Sequence, residues 1–139
     1  MGQYWYPVNL TKREYIDPHK LASGLKLWEQ LASAGVGRAL IVLCAAMPSP
    51  RGFGDLKRDP IIGRWAGDQI ALIGDYAADS DLPSSPVPAS QIYYLCGSEW
   101  VDVSEDVCRV LERELDGMFV GEGWRKFIEK SQPSPPFPP

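Results

Sequence analysis

Histidine and cysteine are scarce in this 139-residue chain, which contains one histidine and three cysteines. The cysteines are Cys44, Cys96 and Cys108, and no two of them have the Cys-x-x-Cys spacing that is typical of a zinc site. An odd number of cysteines also does not suit a framework of disulfides. We therefore expect reduced thiols and a cytoplasmic location.

Long hydrophobic runs and clusters of basic residues are also missing. The longest apolar stretch, Ala39 to Met47, has about half the length of a membrane-spanning helix. The first residues, MGQYWYPVNL, lack the basic and apolar regions of a signal peptide. With 14 basic residues against 18 acidic ones and a net charge of -4, the chain offers no basic face for phosphate groups. We expect neither a membrane nor a nucleic acid as a partner.

Motifs for nucleophilic or phosphate chemistry are absent as well. The chain contains no G-x-S-x-G, no P-loop and no H-E-x-x-H sequence. The only histidine, His19, follows an Asp-Pro pair and is predicted to belong to the first turn of a helix. No cofactor is indicated, and no cysteine has the sequence context of a catalytic nucleophile.

What the chain does contain is enough apolar residues for a core. The hydrophobic fraction is 45%, and a chain of this size buries roughly two-thirds of the surface that its unfolded form exposes. We predict a single α+β domain over residues 1–130, with a small, mostly antiparallel sheet covered by about three helices. The proline-rich residues 131–139, SQPSPPFPP, are predicted to form a flexible tail.

Two regions predict the strands of this sheet. Residues 4–10 are aromatic and β-branched, and residues 15–16 are placed to pair back against them as a hairpin. Pro7 cannot donate a hydrogen bond, so we expect the first strand either at the edge of the sheet or with a bulge at this residue. Residues 69–74 are apolar on both faces, which is typical of an interior strand.

Three helices are predicted beside the sheet. The first begins at the Asp-Pro pair, runs over residues 17–33 and is ended by Gly35 and Gly37. Residues 38–47 predict a buried helix, with a central strand as the alternative. The third helix begins at Ser104.

The third helix has two distinct faces in the sequence pattern. Val107 and Leu111 form part of its apolar stripe. Three charged residues at i, i+4 spacing, Glu105, Arg109 and Arg113, lie on the opposite side, where we expect a solvated row of charges.

Four aspartates surround the strand predicted over residues 69–74, and they are Asp68, Asp75, Asp79 and Asp81. Several carboxylates at one edge of a fold suit either a divalent cation or general acid and base chemistry. The pattern of an EF-hand loop is absent, so no metal site is predicted. The alternative is that these side chains cap turns and keep a loop soluble.

Aromatic residues next to these aspartates suggest a binding surface. A ring such as that of Trp65 or Tyr76 beside Asp68 and Asp75 suits a sugar or another polar organic ligand. We therefore predict an intracellular, non-catalytic protein that binds a small polar ligand or a protein partner through these four residues.

Two other functions stay open. One is a hydrolase or lyase that uses Asp75 with Asp79 or Asp81, with or without a divalent cation. The other is an interaction domain whose working part is the proline-rich tail.

Three stretches of the sequence resemble a known family. They are MGQYWYPVNL, SGLKLWEQ and GRWAGDQIALIGDYAAD, which together extend in pieces from residue 1 to Asp79. They resemble a family of small uncharacterised proteins found in fungi, with more distant bacterial and phage look-alikes. The resemblance implies a shared fold, and it brings neither an activity nor catalytic residues.

Overall fold

A computed structural model describes residues 3–46 and 56–115 of the chain. The predicted proline-rich tail and the last part of the predicted domain, residues 116–130, lie outside this range. So do residues 47–55.

Strands and helices alternate irregularly along the described chain, and the predicted α+β class is confirmed. The strands are β1 (Trp5–Asn9), β2 (Glu14–Tyr15), β3 (Ile70–Gly74) and β4 (Val101–Asp102). The helices are α1 (Leu27–Ala32), α2 (Gly35–Cys44), α3 (Ala89–Cys96) and α4 (Ser104–Leu115), with 3-10 turns at Pro18–Leu21 and Asp79–Asp81. None of these helices is long and apolar enough to cross a membrane.

The four strands form one sheet in the order β3-β1-β2-β4. β1 pairs antiparallel with both β2 and β3, and β2 pairs parallel with β4. The hairpin is confirmed, but β1 lies inside the sheet and β3 lies at its edge, so both predicted positions were wrong.

Pro7 is accommodated inside the sheet because its nitrogen faces β2 rather than β3. The carbonyl of Pro7 accepts a hydrogen bond from the N–H of Ile16, so residue 7 lies opposite residue 16 in the antiparallel pair. β2 pairs only with Val8 and Asn9. The one bond that proline forgoes, to the carbonyl of Ile16, therefore falls just beyond the end of β2, and the pairing with β3 is unaffected.

The predicted helix over residues 17–33 was wrong as a continuous element. The chain makes a 3-10 turn at Pro18–Leu21, and Ala22 then adopts a left-handed conformation with φ of 59°. α1 begins only at Leu27. It buries Gln30, whose side-chain amide donates to the carbonyls of Trp5 and Leu25 at 3.0 Å each, while Leu27, Trp28 and Leu31 are exposed.

Gly35 and Gly37 were predicted to end the preceding helix, and this was wrong. Both belong to α2. A Cβ atom at Gly35 would lie 1.6 Å from the backbone oxygen of Leu21. Glycine is therefore required at residue 35 by the close approach of another part of the backbone. The helix predicted over residues 38–47 is confirmed as α2, but it begins earlier, at Gly35, and is only partly buried, since Ile41 is 70% exposed. The alternative of a central strand is wrong.

Two clusters of buried side chains form the core. In one of them α2 and α4 pack together with Ile16, Ile61, Trp65 and Val103. In the other, α3 packs against Val8 and Ile73 of the sheet. The helix that mainly contacts the sheet is therefore α3. The sheet is not covered by three helices, as the sequence predicts, because α2 and α4 mostly bury each other.

Candidate functional site

The four residues predicted to bind a ligand do not form one cluster. Asp68 precedes β3 and Asp75 follows it. An extended chain rises about 3.3 Å per residue, so the two aspartates lie roughly 20 Å apart along the strand. The residues predicted to form one binding edge therefore lie at two separate places. That they contact a ligand stays a prediction.

Trp65 lies in the core rather than at a surface. Its side chain is 1% exposed, and its indole N–H donates to Oε1 of Glu14 at 2.8 Å. Because the ring packs in the α2 and α4 cluster, it fixes the turn that follows α2 against β2.

Asp68 joins the hairpin to the turn before β3. Its Oδ2 accepts a hydrogen bond from the side-chain amide of Asn9 at 2.8 Å. The same oxygen forms an ion pair with Lys12. These two donors hold the pKa of Asp68 below its usual range. Asn9 is fully buried, and its Oδ1 also accepts from the backbone N–H of Lys12 at 2.8 Å.

Asp75 ties the far end of β3 to the start of the sheet. Its Oδ1 accepts from the backbone N–H of Tyr4 at 3.0 Å, and its own N–H donates to the carbonyl of Tyr4. The hydroxyl of Tyr94 donates to the Asp75 carbonyl at 3.3 Å. Tyr76 beside it is 64% exposed.

Asp79 and Asp81, predicted as partners of Asp75 in acid and base chemistry, also accept backbone hydrogen bonds. Oδ1 of Asp79 accepts from the N–H of Ser90 in the first turn of α3, and Oδ2 of Asp81 accepts from the N–H of Ala78, both at 2.9 Å. Across residues 3–46 and 56–115, no group of three or more His, Cys, Asp or Glu side chains is placed to hold a metal ion.

A cavity of about 340 Å³ lies between β2, β4 and α4, away from both ends of β3. Its walls are both apolar and charged, and they consist of Glu14, Pro60, Ile61, Arg64, Val101, Val103, Asp106 and Arg109. Pockets that bind small molecules in proteins start at about this size.

Glu14 and Arg64 form the first of two charged pairs at this cavity. Nε of Arg64 donates to both carboxylate oxygens of Glu14 at 3.0 Å, and Nη2 donates to Oε2. The Glu14 side chain is 5% exposed, whereas that of Arg64 is 43% exposed. Within the described residues, the hydrogen bonds of Arg64 leave from Nε and Nη2, and all of them go to Glu14.

Arg109 forms the second charged pair, with Asp59. Nε and Nη2 of Arg109 donate to the two oxygens of Asp59 at 3.1 and 2.8 Å, and Nη1 donates to Asp106 at 2.9 Å. The hydrogen bonds from Arg109 lower the pKa of Asp59. Arg113 approaches the same carboxylate at 3.7 Å. The predicted solvated row of charges is confirmed for Glu105 and Arg109, whose side chains are 88% and 52% exposed, whereas that of Arg113 is only 29% exposed.

The cavity is lined by charged and apolar side chains rather than by the usual nucleophiles. No serine, threonine, cysteine, lysine or histidine is among its lining residues. Both of its lining carboxylates accept hydrogen bonds from a guanidinium group. The guanidinium groups of Arg64 and Arg109 thus lie beside its apolar residues.

The sequence analysis did not select Glu14, although one pattern in the sequence marks it as a buried carboxylate. Side chains of a strand alternate between its faces, and Glu14 and Ile16 therefore share the face that Ile16 buries in the core. A carboxylate on a buried face requires a partner. The partner, Arg64, lies 50 residues along the chain, and that distance is why the pair could not be predicted.

The thiols take no part in this site. Cys44, Cys96 and Cys108 are free. Burial raises the pKa of Cys96 and of Cys108 to about 12, so both are protonated at neutral pH. Cys96 is buried among apolar side chains, whereas the thiol of Cys108 donates to the carbonyl of Lys20 at 3.2 Å.

Asp17 is a further carboxyl with perturbed ionisation, close to the half-buried rings of Tyr6 and Tyr15. Its Oδ1 accepts from the backbone N–H of His19 at 3.0 Å, and its own N–H donates to the hydroxyl of Ser104 at 2.6 Å. Burial is the main cause that raises the pKa of Asp17, and the charge of Asp102 adds to it.

Asp17→Asn is expected to stabilise the protein at about pH 7 and to have little effect at about pH 3. Because the folded-state pKa of Asp17 is above its ordinary value, the stability that this carboxyl contributes is present below the ordinary value and is lost as pH rises through the folded-state pKa. Asparagine keeps the acceptor for His19. Melting temperatures at both pH values measure the effect, and an equal loss of stability at both would contradict it.

The fold and the cavity define a small mixed α+β protein with a charged pocket at one side of its sheet. Neither a protein-family model, nor a curated protein, nor a solved structure matches the chain. The resemblance to small fungal proteins therefore stays a prediction.

Proposed function

We propose that this protein is a non-catalytic binding protein for a small polar ligand, held in the cavity between β2, β4 and α4. The observation that carries the proposal is the cavity of about 340 Å³, in which two guanidinium groups stand beside an apolar wall. The three free thiols support the further proposal that it acts in a reducing compartment such as the cytoplasm.

The cavity indicates the chemistry of the ligand. The guanidinium group of Arg64 suits an acceptor oxygen, such as that of a carboxylate or a hydroxyl group. Pro60, Ile61, Val101 and Val103 suit an apolar part of a few carbon atoms. The ligand class is therefore a small organic molecule with an oxygen acceptor at one end and an apolar group at the other.

An enzyme that uses Asp75, Asp79 and Asp81 has less support. Each of these carboxylates accepts a hydrogen bond from a backbone N–H, and the three donors belong to Tyr4, Ser90 and Ala78. This is the behaviour of side chains that cap turns.

The binding proposal is tested by NMR titration with butyrate, benzoate and glucose as probes. We expect at least one probe to shift the amide signals of Ile61, Val101 and Val103. Val101→Trp should weaken that binding about tenfold or more. Val101 lines the cavity and is 58% exposed, so a larger ring there reduces the space without removing a core contact.

The matched control is the double variant with Asp75→Asn and Tyr76→Ala, at the end of β3. It should bind the probes as the unmodified protein does. If the double variant loses binding and Val101→Trp keeps it, the ligand lies at the aromatic and acidic edge that the sequence predicts. If no probe shifts the cavity amides, the proposal fails for this ligand class.

A further inference from the structure

A second, apolar groove of about 200 Å³ lies between α2 and α4, and we refer to it as the α2–α4 groove. It shares no lining residue with the cavity at β2 and β4. One basic and one acidic side chain line it, and its apolar walls consist of Ile41, Val42, Leu56, Val110, Leu111 and Leu115. The groove therefore suits an apolar side chain.

The α2–α4 groove has an exposed apolar wall and room for an aromatic ring. Ile41, which lines it from α2, is 70% exposed, and removal of such a side chain from water is favourable. An apolar cavity of about 150 Å³ accommodates a benzene molecule. A groove of about 200 Å³ can therefore hold the ring of a phenylalanine or a tryptophan.

The chain itself leads into this groove. Leu115 is the last residue of α4 and lines the groove, so the residues that follow it in the sequence begin beside the groove. These residues, DGMFVGEGWRKFIEK over 116–130, include the large apolar residues Met118, Phe119, Val120, Trp124, Phe127 and Ile128. Residues 47–55, which precede Leu56 on the other wall, read MPSPRGFGD and contain only Met47 and Phe53 of this kind.

The sequence pattern of residues 116–130 suits a return along α4. Trp124, Phe127 and Ile128 have the i, i+3, i+4 spacing that is typical of one apolar face. α4 has 12 residues and is therefore about 18 Å long. The nine residues from Leu115 to Trp124 can span up to about 30 Å, and the glycines among them allow the chain to reverse its direction.

We propose that residues 124–128 cover the α2–α4 groove of their own chain, with the rings of Trp124 and Phe127 against Ile41 and Leu115. The short connection to Leu115 favours the same chain over another molecule, because such a tether gives an effective concentration of about millimolar. A groove of this size is also small for an association of two chains, since stable interfaces bury about 1,200 Å² or more.

NMR of the full chain with labelled isoleucine and leucine methyl groups tests this contact directly. We expect nuclear Overhauser effects between the methyl groups of Ile41 and aromatic ring protons, and we expect Trp124→Ala and Phe127→Ala each to weaken them. Phe137→Ala, in the proline-rich residues 131–139, is the control. It also removes an aromatic ring, and it should leave the signals of Ile41 unchanged.

A double-mutant cycle measures the same contact as stability. Trp124→Ala should lower the melting temperature by about 5 °C or more. Combined with Ile41→Ala, its effect should be smaller than the sum of the two single effects, because residues in contact are coupled. Leu31→Ala is the matched control, since Leu31 is 81% exposed on α1 and does not line the groove. Its effect should add to that of Trp124→Ala.

Three results would overturn the proposal. If Phe53→Ala removes the contacts of Ile41 and the two aromatic variants at 124 and 127 do not, residues 47–55 cover the groove. If the contacts arise only between differently labelled molecules in a mixed sample, a second copy covers it. If Ile41 shows no aromatic contact and the cycle with Trp124→Ala is additive, residues 124–128 lie elsewhere. Circular dichroism establishes that each variant is folded, and the contacts of the unmodified chain depend on no variant.

Discussion

Trp65→Ala is expected to lower the free energy of unfolding by about 3–5 kcal/mol. Trp65 is 1% exposed and is the largest of the fully buried side chains. Its removal leaves a cavity among the residues of α2 and α4 and leaves Oε1 of Glu14 without the indole donor. Denaturation with urea, followed by circular dichroism, measures the loss.

Trp65→Phe separates the two parts of this effect. Phenylalanine fills most of the space but cannot donate to Glu14, so the expected loss is smaller, about 1–3 kcal/mol. If Trp65→Ala instead kept the native stability and only weakened a ligand, Trp65 would face that ligand as the sequence predicts.

Glu14→Ala should destabilise the protein by about 3 kcal/mol. The substitution removes the acceptor of the Trp65 indole N–H, which is buried, and the partner of the Arg64 guanidinium group. The Arg64 side chain is 43% exposed, so water replaces part of the hydrogen bonding that Arg64 loses when Glu14 is removed. The same urea measurement determines the change.

Glu14→Gln is the matched control for this second prediction. Glutamine keeps a carbonyl oxygen for the indole N–H and removes only the charge, so its loss of stability should be clearly smaller than that of alanine. Combining Glu14→Gln with Arg64→Gln in a double-mutant cycle isolates the ion pair. Additive losses would contradict the coupling that we infer from the contacts.

Glu14 thus has two roles that experiments must keep apart. It stabilises the turn that carries Arg64 and Trp65, and it lines the cavity in which we place the ligand. A substitution at Glu14 that weakens binding would not show which role was lost. The tests of binding therefore use Val101, whose side chain lines the cavity and is exposed.

The sequence predicted local features of the fold well where adjacent residues decide them. The hairpin follows from the aromatic and β-branched residues on either side of a polar turn. α2 follows from its run of apolar residues, and the start of α4 from a serine followed by acidic residues. These preferences act within a few residues, so the pattern of the chain is sufficient to predict them.

Errors arose where distant contacts overrule such preferences. Gly35 reads as the end of a helix, yet it lies within α2 because the backbone of Leu21 passes beside it. Pro7 indicates an edge strand, yet the shortness of β2 permits it inside the sheet. In both cases the deciding neighbour is absent from the local sequence.

What the sequence by itself determined is the class of the fold, the hairpin and the presence of α2 and α4. Only the tertiary structure decided that Asp68 and Asp75 lie apart, that Trp65 is buried, and that Glu14 meets Arg64 at a cavity. The physical reason is that periodicity specifies which face of an element is buried, whereas the pairing of charges depends on how elements far apart in the chain pack together.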